Sequence, residues 1–173
     1  MRALGYQLTG ELVGTPERVA EAWLTELVRG EHVDPVAILR DGTLEAGTDR
    51  GPIVLRRLQV STMCPHHLLP SHGFATVGYI PNQKIAGLGA IYAAVDACAR
   101  RLILQESLGD LIAESLLRGL DARGTFCRLT LTHTCFVSRG EKQAGALVDT
   151  LTWRGSCLGA DREIASKLAM DPA

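Results

Sequence analysis

The stretch that decides the fold is residues 54–80, which read VLRRLQVSTMCPHHLLPSHGFATVGYI. Residues 54–62 and 74–80 are rich in β-branched and aromatic side chains, and this composition predicts two strands. Residues 70–73 include Pro, Ser and Gly and are predicted as a turn before the second strand. The first strand therefore leads directly into the Cys-Pro-His-His cluster at residues 64–67.

A second pair of strands is predicted after two helices. Residues 87–104 carry apolar side chains at spacings of three and four, which predicts a helix, and a further helix is predicted over 108–120. Apolar residues alternate along 126–133, which predicts a third strand that ends beside Cys135. Residues 146–153 are predicted as the fourth strand. The predicted order is two strands, two helices and two strands.

The regions outside this core are predicted as follows. Residues 15–29 form a helix with Thr15 as its N-terminal cap. Its buried stripe is predicted to consist of Val19, Trp23, Leu24 and Leu27. Residues 31–52 mix Asp, Gly, Pro and Thr, and are predicted as loop with one short strand over 36–39. A short amphipathic helix over 161–169 could pack on a neighbouring subunit.

Length and composition limit the class of protein. A chain of 173 residues suits one domain, predicted here to cover residues 1–173 with its core at 53–155. The formal net charge is −1 and no basic patch occurs, which argues against a nucleic-acid partner. No apolar run has the length of a membrane span, and the N-terminus does not resemble a signal peptide. Five cysteines, two of them better explained as metal ligands, indicate the reducing cytoplasm.

Two short clusters, each after a predicted strand, hold residue types that bind metals. Zinc takes thiolate and imidazole ligands, and a catalytic zinc site supplies three of them so that water holds the fourth position. Cys64, His67 and Cys135 would form such a site. His66 and His133 would then remain as unligated imidazoles next to the bound water. This arrangement is a plausible hydrolase centre.

Spacing alone leaves alternatives open. A lone cysteine or histidine is usually packed in a core or lies on the surface, and this interpretation is favoured for Cys98, Cys127 and Cys157. Cys64 and Cys135 differ because each has a histidine within three residues. Iron could occupy the same ligands as zinc. Redox chemistry is the weakest interpretation, because thiolates on zinc are held out of disulfide exchange.

A series of motifs in order resembles the GTP cyclohydrolase I family. The family pattern Ser/Thr-x-Cys-Glu-His-His is matched at residues 62–67, with Pro65 in place of the glutamate. The pattern Gly-x-Ala-x-Val-x-Tyr-Ile-Pro-Asn is matched at 73–82. Further matches are Thr15-Pro16-x-Arg18, Gly87-Leu88, Ala99-Arg100-Arg101, Leu104-Gln105-Glu106, His133-x-Cys135 and Arg139-Gly140. The resemblance covers residues 12–155.

The resemblance implies a fold and an assembly. Members of the family have the α+β tunnelling fold, a ββααββ unit with an antiparallel sheet and helices on one face. This fold agrees with the element order predicted from the residues. Family subunits join into rings, which implies a homo-oligomer, a pentamer or decamer, with active sites at the subunit interfaces. The implied partners are copies of this chain and a small heterocyclic substrate.

The resemblance also implies roles for individual residues. Three residues are implied to hold Zn²⁺: Cys64, His67 and Cys135. Proton transfer is implied for His66 and His133. Substrate binding is implied for Gln105, Glu106, Arg139 and Arg18, with Glu106 on the guanine edge and the arginines on phosphate.

These implied roles are chemically coherent. Zinc lowers the pKa of bound water toward ~7, and the hydroxide can attack an amidine-like carbon such as C8 of a purine. An imidazole with a pKa near ~6.5 suits the proton transfer that the attack requires. A carboxylate such as that of Glu106 can accept two hydrogen bonds from the N1–H and amino group of guanine.

The departures from the family concentrate on phosphate recognition. The family carries Ser, Lys and Arg, which contact the GTP triphosphate, at the positions of Gly89, Ala90 and Ala93. Removal of one charge-assisted contact to a phosphate costs about 1.5–3 kcal/mol. We therefore expect a zinc-dependent hydrolase that opens the ring of a guanine-like or related nitrogen heterocycle without a triphosphate.

Two alternative functions remain at this point. The first is an authentic GTP cyclohydrolase I, which converts GTP to 7,8-dihydroneopterin triphosphate and formate. In that case the phosphates would be covered by other cations, namely Arg18, Lys84, Arg100 and Arg139. The second is a non-catalytic homologue that binds a pterin or purine.

Overall fold

A computed structural model describes residues 1–47 and 50–156, together with Glu163, Ser166 and Lys167. The helices are α1 (Thr15–Ala22), α2 (Pro35–Asp41), α3 (Leu88–Ala99), α4 (Gln105–Leu120) and α5 (Thr134–Val137). The strands are β1 (Thr43–Glu45), β2 (Ile53–Met63), β3 (Pro70–Ile80), β4 (Lys84–Ala86), β5 (Gly124–His133) and β6 (Val148–Gly155). Apart from the short β4 and α5, the order from β2 to β6 is ββααββ, so the predicted α+β fold class is confirmed.

The main sheet is antiparallel with the strand order β2-β3-β5-β6. Thr62 of β2 pairs with Ser71 of β3, and Ser71 pairs in turn with His133 of β5. The end of β2, the start of β3 and the end of β5 therefore lie at the same end of the sheet. This register brings together the two clusters that were predicted to bind metal, because each cluster follows one of these strand ends.

The core lies between one face of this sheet and the helices α3 and α4. Strand side chains alternate between faces, and the buried alternate residues of β3 and β5 are Ala75, Val77, Tyr79, Cys127, Leu129 and Leu131. The helices contribute Ile91, Val95, Leu108, Ile112 and Leu116. On the opposite face Phe126 packs with Val54 and Trp153. The helices thus cover one face of the sheet, as expected.

The prediction for residues 31–52 was wrong in its main part. Residues 35–41 form the helix α2 rather than a loop with a strand over 36–39. The helix begins where the Asp34 carboxylate accepts a hydrogen bond from the Val36 N–H at 2.9 Å, and Pro35 occupies the first helical turn. Leu39 of α2 is fully buried in the core. The short strand of this region is β1, which pairs with β4.

The first helix is shorter than predicted and does not bury its apolar side chains. After α1 the chain continues as a wider π-type turn over Trp23–Leu27 and a 3₁₀ turn over Arg29–His32. Gly14 rather than Thr15 is the N-terminal cap. The predicted buried stripe was wrong, since Val19 is 50% and Leu24 is 73% exposed. The reason is that α1 has few contacts with the sheet or with the other helices, and Val19 instead lines a pocket with Met1 and Leu8.

Other boundaries also shift. The helix predicted over 87–104 ends at Ala99, and the next begins at Gln105 rather than 108. Residues 70–73 are the start of β3, so the predicted turn lies earlier, at 64–69. The C-terminal helix predicted over 161–169 lies outside the described residues except for Glu163, Ser166 and Lys167, which are helical. Among the described helices none is both long enough and apolar enough to cross a membrane.

Candidate metal centre and its pocket

Three candidate ligands come together at one end of the sheet. Cys64 directly follows β2, His67 lies in the turn between β2 and β3, and Cys135 lies in α5 directly after β5. One sulfur or ring-nitrogen atom of each residue lies within 4.8 Å of those of the other two. The structure therefore brings together the three residues that were predicted to bind zinc.

The turn between β2 and β3 has a defined geometry. The Cys64 N–H donates to the Leu69 carbonyl at 3.0 Å, and the Leu68 N–H donates to the Cys64 carbonyl at 2.9 Å. Leu68 has a φ of +52°, a left-handed conformation that lets the chain reverse within six residues. Pro65 has no N–H to contribute and fixes the backbone between the two candidate ligands. The turn thus presents Cys64 from the buried side and His67 from the exposed side.

The chemistry of the cluster fits zinc. Two thiols and one imidazole form the donor set of an open catalytic zinc site, with one position left for water or substrate. Burial raises the pKa of the Cys135 thiol, and the neighbouring Cys64 raises it further. Two adjacent thiols oppose each other's ionisation, whereas a divalent cation between them would favour both thiolates. The donor set fits a metal that accepts soft ligands.

A pocket of about 200 Å³ opens beside these ligands. Its lining includes the residues predicted for proton transfer and for substrate binding, namely His66, His133, Gln105 and Glu106. The remaining lining residues are Thr62, Ser71, Ile103 and Leu104. Glu106 is exposed in the first turn of α4, where the helix dipole favours a negative charge. One pocket therefore contains the candidate metal ligands, two imidazoles and a carboxylate.

Both ring nitrogens of His133 take part in hydrogen bonds. Its Nδ1 lies 2.9 Å from the Ser71 hydroxyl, and its Nε2 lies 2.7 Å from Oε1 of Gln105. Burial lowers the pKa of His133, while the negative charge of Glu106 acts in the opposite direction. The neutral imidazole is therefore favoured near neutral pH.

Gln105 is buried, with only 2% of its surface exposed. Its amide nitrogen donates to the Leu129 carbonyl at 3.1 Å, to the Val148 carbonyl at 2.9 Å and to the Thr150 hydroxyl at 3.2 Å. The predicted contact of Gln105 with substrate stays a prediction, and the side-chain bonds seen here run to β5, β6 and His133.

Sequence reasoning missed Ser71 as a member of the site. Residues 70–73 were interpreted as a turn, which hid the alternation that continues from Ala75 and Val77 back to Gly73 and Ser71. A strand extended to Pro70 would have placed Ser71 on the core face at the same end of the sheet as His133.

The two predicted arginines lie in different surroundings. Arg18 donates to the Val13 carbonyl and to the Thr15 hydroxyl, both at 3.0 Å, and it does not line the pocket. Arg139 is exposed after α5, and its positive charge acts to lower the pKa of Cys135. Arg139 therefore lies near the metal cluster, whereas Arg18 is bound to its own segment. Their contacts with substrate stay predictions.

The positions that depart from the family lie in the first turns of α3. Gly89 and Ala93 are exposed, and Ala90 is partly buried. Ala93 lines a different pocket, of about 320 Å³, together with Arg29 and Asp96. Within the described part of the chain, α3 contributes no residue to the lining of the metal pocket.

The sequence was compared with known protein families, and the model described as GTP cyclohydrolase I matches residues 1–170. The chain belongs to the GTP cyclohydrolase I family. Its relatives include "GTP cyclohydrolase 1" of Wolinella succinogenes, which is 39% identical over 79% of this chain and 73% of that protein. The protein of the same name from Campylobacter lari is 36% identical over 87% of this chain and 78% of its own length. The protein of the same name from Dehalococcoides mccartyi is 37% identical over 82% of this chain and 75% of its own length.

The fold was also compared with solved structures of other proteins. The apo form of an archaeosine synthase, QueF-Like, superposes with a TM-score of 0.48 at 17% sequence identity. The match covers 63% of this chain and 98% of that protein.

Proposed function

We propose that this protein is a zinc-dependent hydrolase that opens a C–N bond in the ring of a guanine-like heterocycle. The observation that carries the proposal is the shared pocket: the Cys64, His67 and Cys135 cluster adjoins the carboxylate of Glu106. Membership of a family of hydrolases supports the reaction class. A soft-ligand metal site and a carboxylate that recognises an amidine edge are the two parts that such a reaction needs.

Cys64, His67 and Cys135 would hold the zinc ion beside the pocket. When bound, zinc would supply an activated water at neutral pH and polarise the bond under attack. The protein's contribution is to fix the ligand set: Cys64 and His67 come from one short turn, and Cys135 from the helical turn after β5. Because the two groups of ligands are anchored in different strands, the sheet itself sets the width of the site.

The pocket residues then orient the ring and move protons. The Glu106 carboxylate accepts hydrogen bonds from an N–H and an amino group on the same edge of the heterocycle. This bidentate contact selects guanine-like rings and sets which carbon faces the metal. His66 and His133 hold or deliver a proton at the ring nitrogen next to the attacked carbon. Both imidazoles line the same pocket as the metal ligands.

The proposed substrate lacks a triphosphate. Gly89, Ala90 and Ala93 offer no charge or hydroxyl at the positions where the resemblance places phosphate contacts. Guanosine and free guanine-type bases carry no triphosphate, so these substitutions would remove no contact to them. The substrate is therefore proposed to be recognised through its base.

A second candidate is GTP cyclohydrolase I activity itself, with 7,8-dihydroneopterin triphosphate and formate as products. The relatives named "GTP cyclohydrolase 1" favour it, as does the position of Arg139 near Cys135. Arg139 would then contact the phosphates together with Arg18. A non-catalytic pterin- or purine-binding role is the third candidate.

We further propose that the protein works as a ring-shaped homo-oligomer, a pentamer or decamer in the cytoplasm, with sites at subunit interfaces. Within the described residues, the outer edges of β2 and β6 pair with no other strand, apart from the single bridge of Met63 to Leu102 at the end of β2. Such edges readily pair with strands of another chain. The exposed apolar side chains of Val19 and Leu24 offer a further contact surface.

The test compares zinc-loaded protein with GTP, guanosine and guanine, and follows products by absorbance and mass. Turnover of the unphosphorylated compounds alone supports the proposal, whereas turnover of GTP alone supports the second candidate. The variant Cys135→Ser should lose both bound zinc and turnover. Cys98→Ser is the matched control, because Cys98 lies in the core away from the pocket. If Cys135→Ser kept its turnover, the zinc mechanism would be wrong.

A further inference from the structure

The orientation of the buried Gln105 amide can be assigned from its surroundings. Its nitrogen faces the carbonyl oxygens of Leu129 and Val148, at 3.1 and 2.9 Å. Carbonyl oxygens accept hydrogen bonds and never donate them, so the atom between them must be the NH₂ group. The reverse orientation would set the amide oxygen against two other oxygens in a buried place. Oε1 of Gln105 must therefore point at His133.

This orientation fixes the tautomer of His133. Its Nε2 lies 2.7 Å from Oε1 of Gln105, and an amide oxygen can only accept a hydrogen bond. Nε2 must then carry a proton. In a neutral imidazole the lone pair is left on Nδ1, which lies 2.9 Å from the Ser71 hydroxyl. Ser71 is the donor in that bond.

The two partners come from separate elements, so the ring is fixed from both sides. Ser71 is the cross-strand partner of His133 in the pairing of β3 with β5. Gln105 is the first residue of α4, and its amide also bridges β5 and β6 through their carbonyls. Both side chains are almost fully buried. Hydrogen bonds on both nitrogens define the ring's orientation as well as its tautomer.

We propose that Gln105 and Ser71 are positioning residues that hold His133 as the Nε2–H tautomer, with its Nδ1 lone pair turned to the Ser71 hydroxyl. The nitrogen of His133 that can act as an acceptor is then Nδ1. The Ser71 hydroxyl bonds to that nitrogen and also lines the pocket, so His133 would exchange a proton with a substrate through Ser71. Gln105 acts through His133, and the proposal needs no contact between Gln105 and a substrate.

The test is NMR of zinc-loaded protein with ¹⁵N-labelled histidine, in which His133 is assigned by its loss in His133→Asn. In the wild-type protein we expect a directly observed Nε2–H proton that exchanges slowly with water, because it is buried and bonded to Gln105. In Gln105→Met, which has a similar length and no amide, this signal should be lost to exchange. Ser71→Ala should keep the Nε2–H signal and shift the Nδ1 resonance, and Ser71→Thr should restore the shift.

Ser115→Ala is the matched control, since Ser115 is equally buried in α4 and lies against Cys98 rather than His133. It should leave both His133 nitrogens unchanged. A wild-type His133 with its proton on Nδ1, or an Nε2–H signal that persists in Gln105→Met, would overturn the proposal. The spectra require no substrate, so this inference and the proposed reaction can fail independently.

Discussion

Met63, the last residue of β2, and Leu102 form a bridge of the parallel type. The Ile103 N–H donates to the Met63 carbonyl at 3.2 Å, and the Met63 N–H donates to the Arg101 carbonyl at 3.3 Å. The segment between α3 and α4 is thereby held beside the end of β2. This places the start of α4 next to Cys64 and explains why the metal cluster and the first two residues of α4 share one pocket.

The first prediction concerns the carboxylate at the start of α4. Glu106→Gln should weaken the binding of guanosine about 10–100-fold, equivalent to ~1.5–3 kcal/mol, because an NH₂ group would replace one of the two acceptor oxygens. Isothermal titration calorimetry measures the change. Glu17→Gln is the matched control, since Glu17 is an exposed glutamate in the first turn of another helix, α1. Unchanged guanosine binding in Glu106→Gln would contradict the assigned role of this carboxylate.

The second prediction concerns α2, the helix that the sequence reasoning missed. Leu39 is fully buried and packs closely against α4, since a Cβ added at Gly119 would lie 2.6 Å from the Cβ of Leu39. Leu39→Ala should lower the free energy of unfolding by about 2–5 kcal/mol. Leu4→Ala should change it by less than about 0.5 kcal/mol, because Leu4 is 73% exposed and belongs to none of the contact surfaces proposed above. Urea unfolding of the two variants checks the contrast, and similar losses in both would contradict the described packing.

The elements that sequence reasoning found are those whose pattern is set locally. The alternation along β5 and the apolar spacing of α3 and α4 follow from which face each element buries, and both patterns are long enough to recognise. α2 has only seven residues, and its start signal at Asp34-Pro35 lies among residues typical of loops. The apolar spacing of α1 identified a helix correctly but not its burial. Burial depends on what packs against the helix, and no local pattern contains that information.

Some residues of the candidate site could likewise be predicted from the sequence, and others could not. Cysteine and histidine are few enough for a cluster of them to be recognised, and the three ligands could therefore be named from the sequence. Ser71 could not be named, because a serine has many ordinary roles and its bond to His133 depends on the register between β3 and β5. The hydrogen bonds of Gln105 to β5, β6 and His133 could not be predicted either, because they depend on tertiary packing.

The third prediction concerns the thiols. Burial raises the pKa of Cys98 to about 11 and that of Cys127 higher still. The thiolate fraction of Cys98 is then about one in a thousand at pH 8 and about one in a hundred at pH 9. After chelation of zinc, iodoacetamide should label Cys135, which is partly exposed, at least about 100-fold faster than either buried thiol.

Mass spectrometry of the labelled peptides measures these rates, with the zinc-loaded protein as the control in which Cys135 is protected. The labelling of Cys98 should rise with pH because its pKa lies above the whole range tested. Equal rates for Cys98 and Cys135 in the folded protein would contradict the described burial.

The last prediction concerns phosphate recognition. Ala90→Lys combined with Ala93→Arg should increase the affinity for GTP by about 1.5–3 kcal/mol per new contact, because charge-assisted bonds to phosphate are of that strength. Both positions lie in the first turns of α3, where the helix dipole also favours an anion. The gain requires the proposed ring, because within the described residues of one chain α3 contributes nothing to the lining of the metal pocket. The control is Ala90→Gln with Ala93→Gln, which adds length and polarity without charge.

Calorimetry with GTP and guanosine should show a gain for GTP alone in the charged variant. If instead the wild-type protein binds GTP far more tightly than guanosine and the charged variant adds nothing, other cations already hold the triphosphate and the second candidate function is correct.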